Sequence, residues 1–114
     1  MSVYFVSRHI ASVEWFKKQE IEVDVWLTHL DDETPLRADD VVIGNLPINI
    51  VATLSSKRIH YIHLSIEVPE ELRGVELSFD HLNKYPPKLL AFRVQVDDGC
   101  QKWLDDQLPI KGVD

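Results

Sequence analysis

A chain of 114 residues with 45% hydrophobic and 27% charged side chains has the length and composition of one globular domain, which excludes a disordered polymer. Its formal charge of -7 excludes a general basic face for long DNA or RNA, although a few arginines can still make one pocket positive within a Debye length of about 8 Å. The single cysteine, Cys100, excludes an internal disulfide and a thiol zinc site, and points to a reducing, cytoplasmic compartment.

The apolar run Val3–Val6 is too short for a membrane span and has no basic segment before it, so it is expected to be a first buried strand rather than a signal peptide. Ile10, Val13 and Phe16 recur at near-helical spacing up to Lys17-Lys18, whose charges suit a helix C-terminus. Val23, Val25 and Leu27 alternate with Asp24 and Trp26 as a second strand that ends at Thr28-His29, followed by the acidic turn Asp31–Pro35. Val41-Val42-Ile43 is a third strand closed by Gly44, and Pro47 opens a helix with Ile48, Val51, Ala52 and Ser55 on one face. Ile59–Leu64 reads as another strand. The stretch from Ser65 to Ser78 is irregular, Phe79–Lys84 is a short helical piece, and Leu89–Val96 is a half-exposed edge strand. Cys100, Trp103 and Leu104 mark a final short helix, and the tail from Pro109 is expected to be loose.

Strands alternating with helices predict a single α/β Rossmann-like domain over residues 1–114, with a mainly parallel sheet flanked by helices. In such sheets ligands bind outside the carboxyl ends of the strands, so Ser7-Arg8-His9, Gly44-Asn45-Leu46-Pro47 and His63-Leu64-Ser65 are expected to converge there. In the first of these turns a helix N-terminus favours an anion, Arg8 adds a planar fork for phosphate oxygens, and His9 adds a base that works near neutral pH. Taken singly, the same residues also describe a helix cap and a solvated charge. Gly44 permits close approach of backbone to a ligand, and the Asn45 amide suits a base edge or hydroxyl. Arg73, beside Gly74 in the irregular segment, is expected on a lid over the pocket.

Other groups read more plainly. His60 and His63 lie three apart in a strand and point to opposite faces, so they cannot share a metal. His29 with Asp31 and Asp32 has the donors for a hard cation, but an acidic solvated loop is the simpler reading. Trp15, Trp26 and Trp103 are expected in the core or an interface. No GxGxxG or P-loop pattern occurs, and neither metal nor cofactor is expected.

The ordered set Tyr4–His9, Glu14-Trp15, His29-Leu30-Asp31, Asp40–Gly44 with Leu46-Pro47, His63-Leu64-Ser65, and Leu72-Arg73-Gly74 with Glu76-Leu77 resembles the small CRISPR-associated Csx-sixteen family, accessory proteins of type III systems. The resemblance covers about the first two thirds of the chain. It departs from the family pattern at Ile10-Ala11, where a Pro-Gly pair is usual, and at Asn45, where threonine is usual. It implies a fold related to CRISPR-associated Rossmann-like sensor domains, a homodimer with the site near its two-fold axis, and binding of cyclic oligoadenylate messengers, the tetra-adenylate ring being the one expected here. It further implies ring nuclease activity by metal-independent attack of a ribose 2′-hydroxyl. Arg8 and His9 would then be catalytic, with Ser7, Gly44, Asn45, Leu46, Pro47, His63, Ser65 and Arg73 binding the ligand. Two rivals use the same residues: a protein that binds the messenger without cutting it, and an enzyme acting on another phosphorylated metabolite.

Overall fold

Every second residue of the first strand faces the same way, and both faces are apolar, so Val3–Val6 must be covered on two sides. A computed structural model, described over residues 1–108, shows how. The elements run β1 (Val3–Val6), α1 (Ile10–Lys17), β2 (Val25–Leu27), β3 (Val41–Gly44), α2 (Ile48–Ser56), β4 (His60–Ser65), α3 (Phe79–Lys84), β5 (Lys88–Phe92) and α4 (Asp98–Gln107), with a 3-10 turn at Glu70–Leu72. The five strands form one sheet in the order β2-β1-β3-β4-β5, parallel except for β5, which pairs antiparallel with β4. This is a Rossmann-like α/β domain.

Two cores result. Phe5, Trp15, Phe16, Ile43, Leu64 and Leu82 pack on the face covered by α1 and α3, where the Phe5 and Phe16 rings stack with centroids 4.5 Å apart. Tyr4, Val6, Val42, Val51, Leu54, Ile59 and Tyr61 pack on the opposite face under α2. In α2 the buried positions are Val51 and Leu54, while Ile48, expected on that face, is 72% exposed.

Three elements differ from their sequence-based outlines. β2 starts at Val25 rather than Val23, because Val3 N–H donates to the Asp24 carboxylate instead of to a strand carbonyl. β5 ends at Phe92 rather than Val96, because the chain turns off the sheet where Val94 N–H donates to the Ser55 hydroxyl at the end of α2. The final helix is ten residues long, and all of its residues are exposed. The tail expected to be loose from Pro109 lies outside the described residues. Among the described residues no helix is long and apolar enough to cross a membrane.

Two local devices fix the sheet. Gly44 sits opposite Val6 in the β1–β3 register, and a Cβ there would stand 2.7 Å from the Val6 carbonyl oxygen. Gly44→Ala is therefore expected to cost about 1–3 kcal/mol in a urea or thermal unfolding measurement, because two central strands must separate to admit one methyl group. At the other end of the sheet, the buried Asp40 carboxylate accepts hydrogen bonds from Ser2 N–H at 2.9 Å and Arg37 N–H at 2.8 Å. Those donors, the Ser2 amide foremost, hold its pKa below the ordinary carboxylate value. A folded pKa below the unfolded one means that the ionised carboxylate stabilises the fold above about pH 4 and that this stability is lost as pH falls through the lower folded value. Asp40→Asn should accordingly destabilise the chain at neutral pH and converge on wild type in acid, as followed by urea midpoints across pH.

Candidate functional site

Parallel pairing of β1, β2, β3 and β4 brings their carboxyl ends to one edge, and a cavity of about 930 Å³ opens there. That volume lies at the upper end of the range for small-molecule sites. Ser7, Arg8 and His9 line it from the β1–α1 turn, and Asn45, Leu46 and Pro47 from the β3–α2 turn. Leu72 and Gly74–Leu77 of the irregular segment form a further wall. Of the three turns expected to converge, the first two therefore do meet, while of His63-Leu64-Ser65 only Leu64 reaches the wall.

Both helices that leave these turns begin with open backbone donors. The residue before α1 is His9 and the residue before α2 is Pro47, and neither side chain caps the helix that follows. Ser7 Oγ accepts instead from His9 N–H at 3.1 Å, which tightens the turn without occupying the amides of the first helical turn. Free first-turn amides and the aligned peptide dipoles attract an anion. Arg8 and His9 are exposed, and neither side chain is engaged in an ion pair or hydrogen bond among the described residues. Glu76 is the sole carboxylate on the cavity wall.

Of the remaining expected residues, Gly44, His63, Ser65 and Arg73 do not line the cavity. Gly44 and His63 act behind it. The Tyr61 hydroxyl donates to the Gly44 carbonyl at 3.0 Å, accepts from Leu46 N–H at 2.9 Å, and lies 2.7 Å from His63 Nδ1. With the phenol proton given to Gly44, Nδ1 of His63 carries its own proton and donates to the Tyr61 oxygen. Burial pushes the Tyr61 pKa up, so the phenol stays protonated and the turn stays pinned. Asn45 ties the same turn to β4, its amide nitrogen donating to the Leu64 carbonyl at 3.1 Å and leaving its oxygen free to accept. His60 faces away from His63 and pairs with Asp39 at 3.7 Å.

His29 and Ser12 also stand on the wall, although the sequence reading assigned neither to the pocket. His29, with Thr28 and Leu30, reaches the cavity from the end of β2, its Nδ1 3.1 Å from the Thr28 hydroxyl and its Nε2 3.7 Å from Asp31. The signal was present, since a parallel strand beside β1 must end on the same edge. Ser12, in the first turn of α1, is 3% exposed yet lines the cavity. It is third in the helix, the position whose amide points out of the N-terminus, which is the feature that would have singled it out. The wall thus holds a guanidinium, two imidazoles and three hydroxyls around open helix ends. Among the described residues no three His, Cys, Asp or Glu side chains group closely enough to hold a metal ion.

Comparison with known proteins agrees with this layout in extent. A family model of CRISPR-associated proteins, Cas_VVA1548, matches residues 4–95, from the first residues of β1 to just beyond β5, so that every turn around the cavity lies inside the match. No curated protein and no solved structure matches the chain. With the match spanning the whole sheet and the cavity at its carboxyl edge, the chain belongs to the CRISPR-associated protein family Cas_VVA1548.

Proposed function

We propose that the protein is a cytoplasmic ring nuclease of the Csx-sixteen type, which opens a cyclic oligoadenylate messenger and so ends type III CRISPR signalling. The observation that carries this reading is the convergence of two uncapped helix N-termini with Arg8 and His9 on one cavity. The ligand class that answers such a site is a compact polyanion with nucleobases, and the CRISPR association of the family supplies the context. A homodimer suits it, because a ring with internal two-fold symmetry can meet the same turns from each of two copies.

In the proposed reaction a ribose 2′-oxygen attacks its adjacent phosphorus, the 2′-O–P bond forms, and the P–O5′ bond breaks. His9 takes the 2′-hydroxyl proton or delivers one to the departing 5′-oxygen. Arg8 and the open amides of α1 and α2 hold the charge that builds on the non-bridging oxygens. The nucleophile belongs to the substrate, so the step asks mainly for in-line positioning.

The test is to incubate the purified protein with cyclic tetra-adenylate in EDTA and separate the products by chromatography. Linear fragments ending in 2′,3′-cyclic phosphate are expected. Fragments ending only in free 3′-hydroxyls would require water as nucleophile and overturn the mechanism. Tight binding with an intact ring, protein in excess, would make the protein a sponge or sensor, and no binding of any ring size would discard the messenger as ligand.

A further inference from the structure

Two backbone outliers meet in one place. Among the described residues, Asp39 at φ 73° and Arg58 at φ 62° are the only non-glycine residues with positive φ. Asp39 N–H donates to the Arg58 carbonyl at 2.9 Å, and both residues line a cleft of about 400 Å³ at the amino edge of the sheet, the end opposite the cavity. Aspartate enters this left-handed region at modest cost; arginine does so rarely. Arg58 closes α2, its N–H donating to the Ser55 carbonyl at 3.1 Å while the next amide, of Ile59, donates to the Leu54 carbonyl at 3.0 Å. Glycine ordinarily holds that position, because a Cβ is penalised there. A cation does suit a helix C-terminus, but Lys57 already supplies one. Backbone strain of this kind gathers at functional sites, so the Arg58 side chain calls for a task of its own.

The cleft supplies one. Arg93, just past the end of β5, lines the same wall, and neither guanidinium has an ion pair or a hydrogen bond among the described residues. In a chain of net charge -7, two unmatched guanidiniums on one small cleft reverse the local sign. The carboxylate that lines it, Asp39, is partnered by His60 at 3.7 Å. Ser55 Oγ accepts from Val94 N–H at 3.0 Å and keeps its own proton to donate. Because the Leu54 and Ser55 carbonyls are already taken, the end of α2 repels an anion less than a bare helix end would. Phe92, opposite Tyr61 in the β4–β5 ladder, adds an aromatic ring that is 49% exposed. Guanidinium forks and a hydroxyl match phosphate oxygens, and an exposed ring matches a flat base.

We propose that this cleft is a second ligand site, for a nucleoside monophosphate: Arg58, Arg93 and the Ser55 hydroxyl hold the phosphate, and the Phe92 ring stacks on the base. Its volume falls within the range of small-molecule sites. The inference stands apart from the ligand assigned to the cavity, because it concerns the other edge of the sheet and shares no lining residue with it.

The test is to titrate AMP, ribose 5-phosphate and adenosine into the isotope-labelled full chain and follow the backbone amides by NMR. AMP is expected to shift the amides of Arg58–Tyr61 and Ala91–Arg93, and to bind roughly 10-fold more tightly than ribose 5-phosphate, the share of one stacked base. Arg93→Ser should weaken AMP roughly 10-fold or more, through the loss of a charged phosphate contact. Arg58→Gly should weaken it as much while raising the thermal midpoint by about 4 °C, a pairing of effects that a merely structural arginine would not give. Arg8→Ala should leave the shifts at this cleft unchanged, which separates it from the cavity. Shifts confined to the turns around Arg8 and Asn45 would put the nucleotide in the cavity and overturn the proposal. So would Arg58→Gly and Arg93→Ser copies that bind AMP as wild type does, ribose 5-phosphate binding as tightly as AMP, or no shift at millimolar nucleotide.

Discussion

His9→Ala is expected to slow ring opening by about 100- to 10,000-fold under single turnover, while ring affinity stays within a few-fold of wild type. The size follows from losing a proton-transfer group, and the selectivity follows from where His9 sits. It precedes α1 in an extended conformation, its side chain does not cap the helix, and its backbone alone is engaged, the amide by Ser7 and the carbonyl by Val13 N–H. Removing the imidazole thus takes nothing from the fold. An unchanged single-turnover rate would pass the role to His29, the other imidazole on the wall, and His29→Ala would then carry the loss. His63 is not the next choice, because it lies behind the Gly44–Leu46 turn with its Nδ1 committed to Tyr61.

Arg8→Ala should act on binding and chemistry together, with a rate loss on the order of 100- to 1,000-fold and a weaker ring affinity in the same titration. A guanidinium beside an open helix end meets phosphate oxygens in the ground state, and meets them more strongly as charge builds on phosphorus. Arg8→Lys should recover only part of the loss, because an ammonium lacks the planar fork. Raising the salt should mimic Arg8→Ala in affinity but leave the single-turnover rate of the bound ring nearly unchanged, since a bound phosphate is shielded from bulk ions. A rate unaffected by Arg8→Ala would leave the helix amides as the sole charge stabiliser and remove Arg8 from the mechanism.

The turn Ser7-Arg8-His9 was legible in the sequence because alternation and crossover handedness together dictate which sheet edge a strand-end turn occupies. That rule needs no side-chain detail. His63 was misplaced because its strand was recognised but the parity of its pleat was not tied to the face covered by α2; one residue of parity separates the cavity wall from the layer behind it. Arg73 was expected over the pocket, yet its neighbours Leu72 and Gly74 face inward while it does not. In an irregular segment no period fixes which side chain turns in. His29 was passed over although its strand was recognised as ending at Thr28-His29, because the acidic stretch after it reads as solvent-facing loop. The half-exposed edge position of β5 was legible from its alternation, whereas the full exposure of α4 lay beyond reach, because an apolar stripe in sequence looks the same whether or not its own chain covers it.

The two imidazoles of the cavity ride on elements of unequal permanence. His9 hangs between α1 and a central strand bonded on both sides, whereas His29 hangs from a three-residue strand held at one margin. In amide exchange with deuterium, Val25–Leu27 should open at a lower free energy than Tyr4–Val6, whose release requires most of the sheet to come apart. One wall of the cavity is therefore set by global unfolding and the other by local fraying, and a ligand that touches both should slow exchange far more along the margin than at the centre.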